Sequence, residues 1–502
     1  MSLIKSIISF HAFTTSISVL GVITVLVWIR HLIADIRIKR AGGVRAPVLA
    51  GNLFSASRFY YHVGKNQYQN TLLDLLNSKL DDLPSGRRGF AEFSLTGAKR
   101  VLITRDPEQI KTILATKFAH FGHGHMWHDL WRPFLGDGIF ATDGKMWHDS
   151  RQMIRPMFLK DRVRNIAIFD ACTDKLLSKL PSPGTTVDLK DFFYRWTLDT
   201  MTEFLLGENV NSLDSPDNEI AHAMYVAQRA QMYIMLLNPI APLIPKGDYY
   251  QAIRKIEQFI EPVIARTIAL PEGQLEELSK SDMDFTFLHS IARFSRDPKT
   301  IRDQIMSVLL AGRDTTAATL SWAIYELSNY PSMWARLREE VLGVLGCNGT
   351  PSYEALKNMT YLKNIINETL RLHPAVPINM RTVLETTTVP NRPGKPDIVL
   401  LKGDSVTINT LGLHTREDLY PRVGEICEPQ GFQPRAVGEL DAQALDVYAV
   451  PRWAKDMLVR FAQRFERIEY RGVWEAQSLQ ADIIGTPALG VPVALFEPSY
   501  TK

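Results

Sequence analysis

An uncharged and largely apolar stretch near the start of the chain, residues 6–29, predicts a membrane anchor. At 1.5 Å per residue, it is long enough to cross a bilayer core of about 30 Å. A single Lys5 precedes it, and the residues that follow are basic: Arg30, Arg37, Lys39 and Arg40. This excess of positive charge on the C-terminal side predicts one anchor in residues 1–40, with the remaining chain in the cytoplasm. A signal peptide or a buried helix is the alternative.

Helical periodicity dominates the rest of the chain. Apolar positions recur every three to four residues in 301–329, 333–345 and 352–372, and Pro331 ends the first of these helices. Runs of β-branched and apolar residues predict short strands at 89–93, 101–104, 386–389, 399–401 and 406–408. No glycine-rich phosphate loop occurs, and strands do not alternate with helices. The pattern predicts a mainly α fold with minor β structure and argues against a doubly wound nucleotide-binding fold.

The amino-acid composition argues against several classes of protein. The chain has 502 residues, of which 45% are hydrophobic and 22% charged, as in ordinary globular proteins. The net charge of +3 is too small to indicate binding to nucleic acid. The three cysteines, Cys172, Cys347 and Cys427, are widely spaced, which argues against a disulfide framework and a zinc–thiolate cluster. One of them could still be a single metal ligand.

The longest predicted helix contains a polar segment in its middle, residues 311–316, Ala-Gly-Arg-Asp-Thr-Thr. Gly312 costs about 1 kcal/mol inside a helix, but it would let a ligand approach the backbone closely. The Thr315 hydroxyl can bond the preceding turn, and Asp314 beside an alcohol can pass protons to a bound oxygen species. A helix kink without chemistry is the alternative.

Two further motifs pair an arginine with a neighbour on the same helical face. Glu368 and Arg371, three residues apart on one helical face, by themselves fit a solvated surface pair, although their apolar neighbours also allow a buried structural pair. Trp147 and Arg151, four residues apart, could hold an acidic group, with an ordinary cation–π contact as the alternative.

Together, in this order and spacing, these motifs resemble the cytochrome P450 family, a fold of α-helices with minor β structure that binds haem through a cysteine thiolate. The resemblance implies that Ala311 and Gly312 border an oxygen-binding groove and that Asp314 and Thr315 deliver protons. It further implies a structural pair beside the haem, Glu368 and Arg371, and haem-propionate positions at Trp147, Arg151 and Arg381.

The resemblance also implies the cofactor, partners and location. We expect haem b with its iron, electrons from NADPH–cytochrome P450 reductase, and a single-pass anchor in the endoplasmic reticulum membrane, with a cytosolic catalytic domain in residues 41–502. Several phrases look most like the fungal branch that hydroxylates alkanes and fatty acids. The expected substrate is therefore lipophilic, either fatty-acid- or alkane-like or a polyketide-type intermediate of secondary metabolism. Expected substrate contacts are residues 121–131, 306–310, 375–379 and 484–489.

The chain departs from the family in residues 420–457. The haem-ligand signature FxxGxRxCxG is absent, and Cys427 is the only cysteine after Cys347. Glu425 stands two residues before Cys427 and Pro429 two after it, where the signature has arginine and glycine. Cys427 is the candidate iron ligand in this atypical segment. The alternative is a catalytically inactive P450-like membrane protein, while a hydrolase is disfavoured because no GxSxG motif occurs.

Overall fold

The computed structural model describes residues 2–50, 52–83, 89–93, 100–158, 166–279, 285–420 and 452–498. The chain divides into two compact units. Unit 1 comprises the described residues of Met1–Gly124 and Ile378–Leu413, and unit 2 those of His125–Pro377 and His414–Lys502.

Unit 1 contains the larger sheet and the N-terminal helix. Its helices are α1 (Ser2–Arg40), α2 (Leu53–Tyr68), α3 (Leu72–Asp81) and α4 (Pro107–Lys111), followed by a π-helical turn at Thr112–Thr116 and a 3₁₀ turn at Phe118–His120. Its strands are β1 (Val48–Ala50), β2 (Phe90–Phe93), β3 (Val101–Thr104), β4 (Phe121–Gly122), β6 (Ile378–Val383), β7 (Thr387–Val389), β8 (Ile398–Leu400) and β9 (Ser405–Asn409).

Six of these strands form one sheet in the order β1-β2-β3-β9-β6-β4, and β7 pairs with β8 in a separate hairpin. Strand β3 lies parallel to β9, whereas β6 and β4 join the sheet antiparallel. All five predicted strands are present. A buried ion-pair network supports the sheet, in which Glu92 accepts from Arg100 at 3.0 Å and Arg100 also pairs with Asp404 at 3.1 Å.

Helix α1 confirms the predicted N-terminal helix. Its last turns pack Ala34 and Ile38 against Val399 and Leu401. Among the residues that the structure describes, no helix combines the length and apolar character needed to cross a membrane. The transmembrane segment predicted in residues 1–40 is therefore not shown.

Unit 2 is the larger unit and is mainly helical. Its helices before the central one are α5 (Gly124–Leu135), α6 (Gly144–Ile154), α7 (Ile166–Lys179), α8 (Leu189–Leu206), α9 (Glu219–Leu236), α10 (Gly247–Ile268), α11 (Glu272–Leu278) and α12 (Phe287–Phe294). The remaining helices are α13 (Pro298–Asn329), α14 (Pro331–Leu345), α15 (Tyr353–Asn358), α16 (Thr360–Leu372) and α18 (Arg452–Arg464), while α17 (Thr410–His414) belongs to unit 1 as far as Leu413. Short 3₁₀ turns lie at Arg155–Phe158, Asn238–Leu243 and Trp474–Ala476. The strands are β5 (Thr186–Asp188), β10 (Arg467–Tyr470), β11 (Leu479–Ala481), β12 (Gly485–Pro487) and β13 (Pro492–Phe496).

Helix α13 is the centre of the core of unit 2. Asp297 caps it by accepting from the backbone N–H of Thr300 at 2.9 Å, and Pro298 occupies its first turn, where a missing N–H costs nothing. The helix packs against α8, α10 and α16 and against strands β10 and β12. Because these elements surround α13, the functional side chains that it carries are held in fixed positions.

The sequence predicts one helix over 352–372, but the structure has two. Met359 adopts an extended backbone conformation between α15 and α16. The Glu340 carboxylate then accepts from the backbone N–H groups of Tyr361 and Leu362, at 2.9 Å each. A carboxylate at a helix N-terminus satisfies free N–H groups and favours a new start there, and periodicity alone does not reveal that cap.

Candidate functional site

The polar motif predicted in 311–316 lies in the middle of α13. From residue 303 to residue 328, all of which are described, only Ala311, Gly312 and Thr315 are not buried. Ala311 and Thr315 lie four residues apart and therefore on one face of the helix. We call these three residues the open strip. It is the part of this stretch of α13 that neighbouring residues do not fully cover.

Asp314 lies outside the open strip and is fully enclosed. Arg313 Nη1 donates to its Oδ1 at 2.6 Å, and Gln228 Nε2 donates to its Oδ2 at 2.8 Å. The Arg313 guanidinium also lies over the ring of Tyr194, 5.0 Å from the centroid. Burial raises the pKa of Asp314, outweighing the lowering by Arg313 and Gln228. A carboxyl with a raised pKa holds a proton at higher pH, so Asp314 is suited to storing one.

Thr315 presents its hydroxyl at the open strip. Its Oγ1 donates to the carbonyl of Ala311 at 2.6 Å, the bond to the preceding turn that the sequence predicts. A hydroxyl oxygen has two lone pairs, so Oγ1 can still accept a hydrogen bond. Because adjacent helical residues do not face each other, transfer from Asp314 to this hydroxyl requires a water or a side-chain rotation.

Helix packing explains why a glycine stands at position 312, in addition to its possible role beside a ligand. A Cβ at this position would lie 2.4 Å from Cε and 2.7 Å from Sδ of Met201, on helix α8. Any larger residue would therefore push α8 and α13 apart or displace the methionine. The glycine allows the two helices to approach closely, and its predicted role in binding a cofactor stays a prediction.

Glu368 and Arg371 form the buried pair that the resemblance implies, and the solvated alternative is wrong. The side chains are 1% and 4% exposed, and the contact is bidentate, with 2.9 Å from Nε to Oε2 and 2.7 Å from Nη2 to Oε1. Arg371 Nη1 also donates to the carbonyl of His414 at 3.2 Å, and its guanidinium lies over the ring of Tyr420. Burial, helped by the charge of Arg371, lowers the pKa of His414 to about 4.

Trp147 and Arg151 make the cation–π contact considered as the alternative. The guanidinium carbon of Arg151 lies 5.4 Å from the Trp147 ring centroid on helix α6. Trp147 is half-buried, whereas Arg151 is exposed. The contact leaves the guanidinium accessible to an anionic group, and the predicted propionate role of both residues stays a prediction.

Arg381 belongs to unit 1, in strand β6. Its Nη1 donates to Asn379 Oδ1 at 2.7 Å and to the Met380 carbonyl at 2.8 Å. The side chain is partly exposed and held by its own strand. Its assignment to a second propionate position stays a prediction.

Neither cysteine in the described residues suits an iron ligand. Cys172 is buried within 3.7 Å of the Glu203 carboxylate, and burial raises its thiol pKa to about 12, which disfavours the thiolate. Cys347 is exposed in the turn after α14. Within the same residues, no cluster of histidine, cysteine and acidic side chains is arranged to hold a metal ion. Cys427 lies outside the described residues.

The open strip is where α13 would contact the haem that the resemblance implies. A flat macrocycle needs a helix surface without bulky side chains, and Ala311 provides one, whereas the side of Gly312 that a Cβ would occupy faces Met201. The incomplete burial of Ala311 and Thr315, on one face of an otherwise buried stretch of helix, is the observation that supports the fit.

The predicted substrate regions have different environments in unit 2. Residues 306–310 are buried in the core. By contrast, Ile484 and Leu489 line a cavity of about 580 Å³ that also reaches Gln228 and Arg313, the two partners of Asp314. This cavity connects a predicted substrate segment with the surroundings of the enclosed acid.

Sequence reasoning missed the residues that support the motif from other helices. Gln228 bonds Asp314 across 86 positions of the chain, and Met201 fills the space beside Gly312. Neither belongs to a local motif. The one available signal was the poor helix propensity of Gly312, which demands a packing or ligand explanation.

Comparisons with known proteins agree with this architecture. The family model for cytochrome P450 matches residues 93–435. A solved structure of the cytochrome P450DA haem domain superposes with a TM-score of 0.68, covering 86% of this chain and 92% of that one at 18% identity. At that identity the similarity shows the fold alone.

The chain aligns with most of the length of each of two curated relatives. The chain is 40% identical to the cytochrome P450 monooxygenase pvhE of Talaromyces variabilis, over 80% of this chain and 81% of the relative. It is 33% identical to cytochrome P450 52A3-B of Candida maltosa, over 75% and 77% of the two chains. The family uses haem iron as its cofactor. With its mainly helical fold and the motif of α13, the chain belongs to the cytochrome P450 family of monooxygenases.

Proposed function

We propose that the chain hydroxylates an aliphatic position of a lipophilic substrate, either a fatty-acid- or alkane-like chain or a polyketide-type intermediate. The observation that carries this proposal is the open strip on α13, with the Thr315 hydroxyl on it and the enclosed Asp314 beside it. Haem, when bound, supplies the binding and activation of dioxygen. Electrons come from NADPH–cytochrome P450 reductase, and residues 41–502 are the catalytic domain.

The side chains of the motif then have separate roles. Thr315 Oγ1, anchored on the Ala311 carbonyl, presents a hydroxyl to whatever occupies the open strip. Asp314 can take up a proton at a higher pH than an ordinary carboxyl, because burial raises its pKa. Arg151, which is exposed beside Trp147, can pair with a propionate carboxylate of the haem. We propose Arg381 for a second propionate position. Glu368 and Arg371 stabilise the core of unit 2.

Product analysis tests the proposal directly. The full chain is expressed in microsomes with the reductase, NADPH is added, and alkanes and fatty acids are assayed for hydroxylated products. Thr315→Val should lower product formation by about 100-fold or more while substrate still binds, since a positioned group in a proton relay contributes that much. Thr315→Ser should retain most of the rate. Equal rates for Thr315→Val and the parent chain would contradict the role of Thr315.

We propose Cys427 as the iron ligand, because the other two cysteines are unsuited by burial or by position. Reduced protein with carbon monoxide should show the Soret band of thiolate-bound haem, and Cys427→Ser should abolish it. Cys347→Ser is the matched control, since Cys347 is exposed. An unchanged band in Cys427→Ser would exclude Cys427, and folded protein without haem absorbance would support the inactive alternative.

We also propose that α1 attaches the chain to the endoplasmic reticulum membrane with the catalytic domain on the cytosolic side. Support comes from uncharged residues 6–29 and from exposed apolar side chains such as Val22 at 59% and Trp28 at 65%. Leu26→Glu together with Ile29→Glu should move the protein from the microsomal pellet to the supernatant. Val344→Glu, an equally exposed site on α14, should not.

A further inference from the structure

The last turns of α1 present one face to the sheet of unit 1. From residue 30 to residue 40, all of which are described, only His31, Ala34, Asp35 and Ile38 are at least partly buried. These positions follow the spacing of a single helical face. Ala34 and Ile38 make its apolar contacts, so the rest of this face consists of the two polar side chains, His31 and Asp35.

Both polar side chains bind Arg45, which lies just after the helix. Arg45 Nη1 donates to Asp35 Oδ1 at 2.9 Å, and Arg45 Nη2 donates to His31 Nδ1 at 2.8 Å. The guanidinium also binds the buried carboxylate of Glu92, with 3.0 Å from Nε to Oε2. Arg45 therefore links α1 to strand β2.

The segment that carries Arg45 is fixed independently of α1. The neighbouring Val44 N–H donates to the Asp397 carbonyl at 2.9 Å, and the Val44 carbonyl accepts from the Val399 N–H at 3.0 Å. The backbone beside Arg45 is thus bound to the β8 region, and its side chain is held by Glu92. Loss of the contacts to α1 would leave Arg45 on the sheet.

A glycine joint lies between α1 and this fixed segment. Gly42 has a φ of +78°, and in the part of the chain that the structure describes an added Cβ would find no atom within 4 Å beyond its chain neighbours. Glycine adopts such a conformation without steric cost. The end of α1 can therefore swing about Gly42 when its contacts with Arg45 are lost.

The contact with Arg45 requires a neutral His31 ring. A guanidinium only donates hydrogen bonds, so Nδ1 must accept and the ring proton must lie on Nε2. A second proton, on Nδ1, would remove the acceptor and place two cations side by side. Among the described residues, Nε2 has no hydrogen-bond partner that could offset this loss. Protonation of His31 therefore opposes the contact.

The charges around His31 act in both directions. Arg45 and Arg100 oppose a proton on the ring, whereas Glu92 and Asp35 favour one. Burial, followed by the charge of Arg45, lowers the pKa of His31 below the ordinary 6.5. A released ring then takes up a proton more readily than a docked one, so the docked state is fully favoured above about pH 6.5 and loses stability as the pH falls.

Asp404 is a second titrating group of the network, reached through Arg100. Burial raises the pKa of its carboxyl to about 6. A carboxyl with a raised pKa binds its proton more readily in the folded protein, so its protonation stabilises the fold as the pH falls. Its response is opposite in sign to that of His31, and only His31 predicts release in acid.

We propose that His31 is a pH-sensitive switch, which holds the last turns of α1 on Arg45 when the ring is neutral and releases them when it is protonated. The direction in which α1 leaves the sheet of unit 1 is thereby fixed at neutral pH and freed in acid. This conformational device goes beyond the proposed function and requires neither haem nor turnover.

Thiol labelling of the full chain in detergent micelles tests the switch. Ala34→Cys places a thiol on the buried face of α1, and Ile36→Cys places one on the exposed face as a reference. Peptide mass spectrometry gives the labelling rate at each site, and the ratio of the two rates cancels the effect of pH on thiol reactivity. From about pH 7.5 to about pH 5.5 the ratio should rise about tenfold, the effect expected when a hydrogen bond to a charged group is lost. Ile38→Cys repeats the measurement at a second buried position.

Two variants assign the response. His31→Gln retains a side-chain acceptor but does not titrate, so its labelling ratio should change less than about twofold over the same pH range. His62→Gln, at a partly buried position on α2, should respond as the parent chain does. A labelling ratio that does not change with pH at either Ala34→Cys or Ile38→Cys overturns the proposal. A rise that is equally large in His31→Gln overturns it as well.

Failure of the proposed function would give a different result. A chain that binds no haem or hydroxylates nothing would still show the rise in labelling ratio, because every group of the switch belongs to unit 1 and none acts on a substrate.

Discussion

Gln228 Nε2 donates a hydrogen bond of 2.8 Å to Oδ2 of Asp314, although 86 residues separate them in the chain. The bond joins α9 to the motif of α13 in a fully buried setting. It supplies a neutral partner for one carboxylate oxygen, while Arg313 supplies a charged partner for the other. Asp314 is thereby held in one orientation, away from the open strip.

Removing this amide should destabilise the fold. Gln228→Leu leaves a buried carboxylate oxygen without its partner, at a cost of about 1–3 kcal/mol in the free energy of unfolding. Urea denaturation measures the loss. In Asp314→Asn, the added effect of Gln228→Leu should be smaller, because the charge that needed the bond is gone. Additive losses in the double variant would contradict a direct interaction.

Gly312 and Met201 provide a second test, one of steric fit. Gly312→Ala places a Cβ against the methionine methyl group and should lower the free energy of unfolding by about 1–3 kcal/mol. Met201→Ala should lose stability by itself, but it opens the space the alanine needs. The double variant should therefore be more stable than the sum of the two losses predicts, as measured by thermal denaturation. A strictly additive double variant would mean that Met201 does not oppose a side chain at position 312.

The sequence sufficed for several elements, though not for the break between α15 and α16, and for part of the site. Periodicity and Pro331 defined the central helix, and the apolar neighbours of Glu368 allowed a buried pair. The order of the strands in the sheet could not be predicted from the sequence, because β3 at Val101–Thr104 pairs with β9 at Ser405–Asn409, far along the chain. Side-chain partners such as Gln228 were hidden for the same reason, because long-range pairing leaves no local pattern.

The buried Glu368–Arg371 pair should be intolerant of losing one partner. Arg371→Met leaves an uncompensated carboxylate at 1% exposure and should cost about 3–5 kcal/mol in the free energy of unfolding. Denaturation of Arg371→Met measures the cost. Glu368→Gln with Arg371→Met should recover part of the loss, because the buried negative charge is removed.

A surface pair gives the comparison for that experiment. Lys145 and Asp149 lie 2.5 Å apart on α6, and their side chains are 86% and 49% exposed. Solvent screening makes such pairs worth little, so Lys145→Met should change stability by less than about 1 kcal/mol. Equal losses at the two pairs would contradict the structural role assigned to Glu368 and Arg371.

His414 should make stability depend on pH. Its pKa is about 4 in the folded protein, against 6.5 for an ordinary histidine, because burial and Arg371 oppose the charged ring. Between these values the unfolded chain binds a proton that the folded chain does not, so protonation favours unfolding. The stabilisation is complete above about pH 6.5 and declines as the pH falls towards 4, by up to about 3 kcal/mol.

Urea denaturation between pH 4.5 and pH 7.5, roughly the window set by these two pKa values, checks the sign. His414→Gln keeps the backbone carbonyl that accepts from Arg371 and removes the titrating ring, so it should flatten the pH dependence. His148→Gln, at an exposed position on α6, should leave that dependence as it is. Stability that falls equally with acid in the parent chain and in His414→Gln would mean that other groups govern the response. A difference confined to the low-pH side would identify the buried imidazole beside Arg371 as its source.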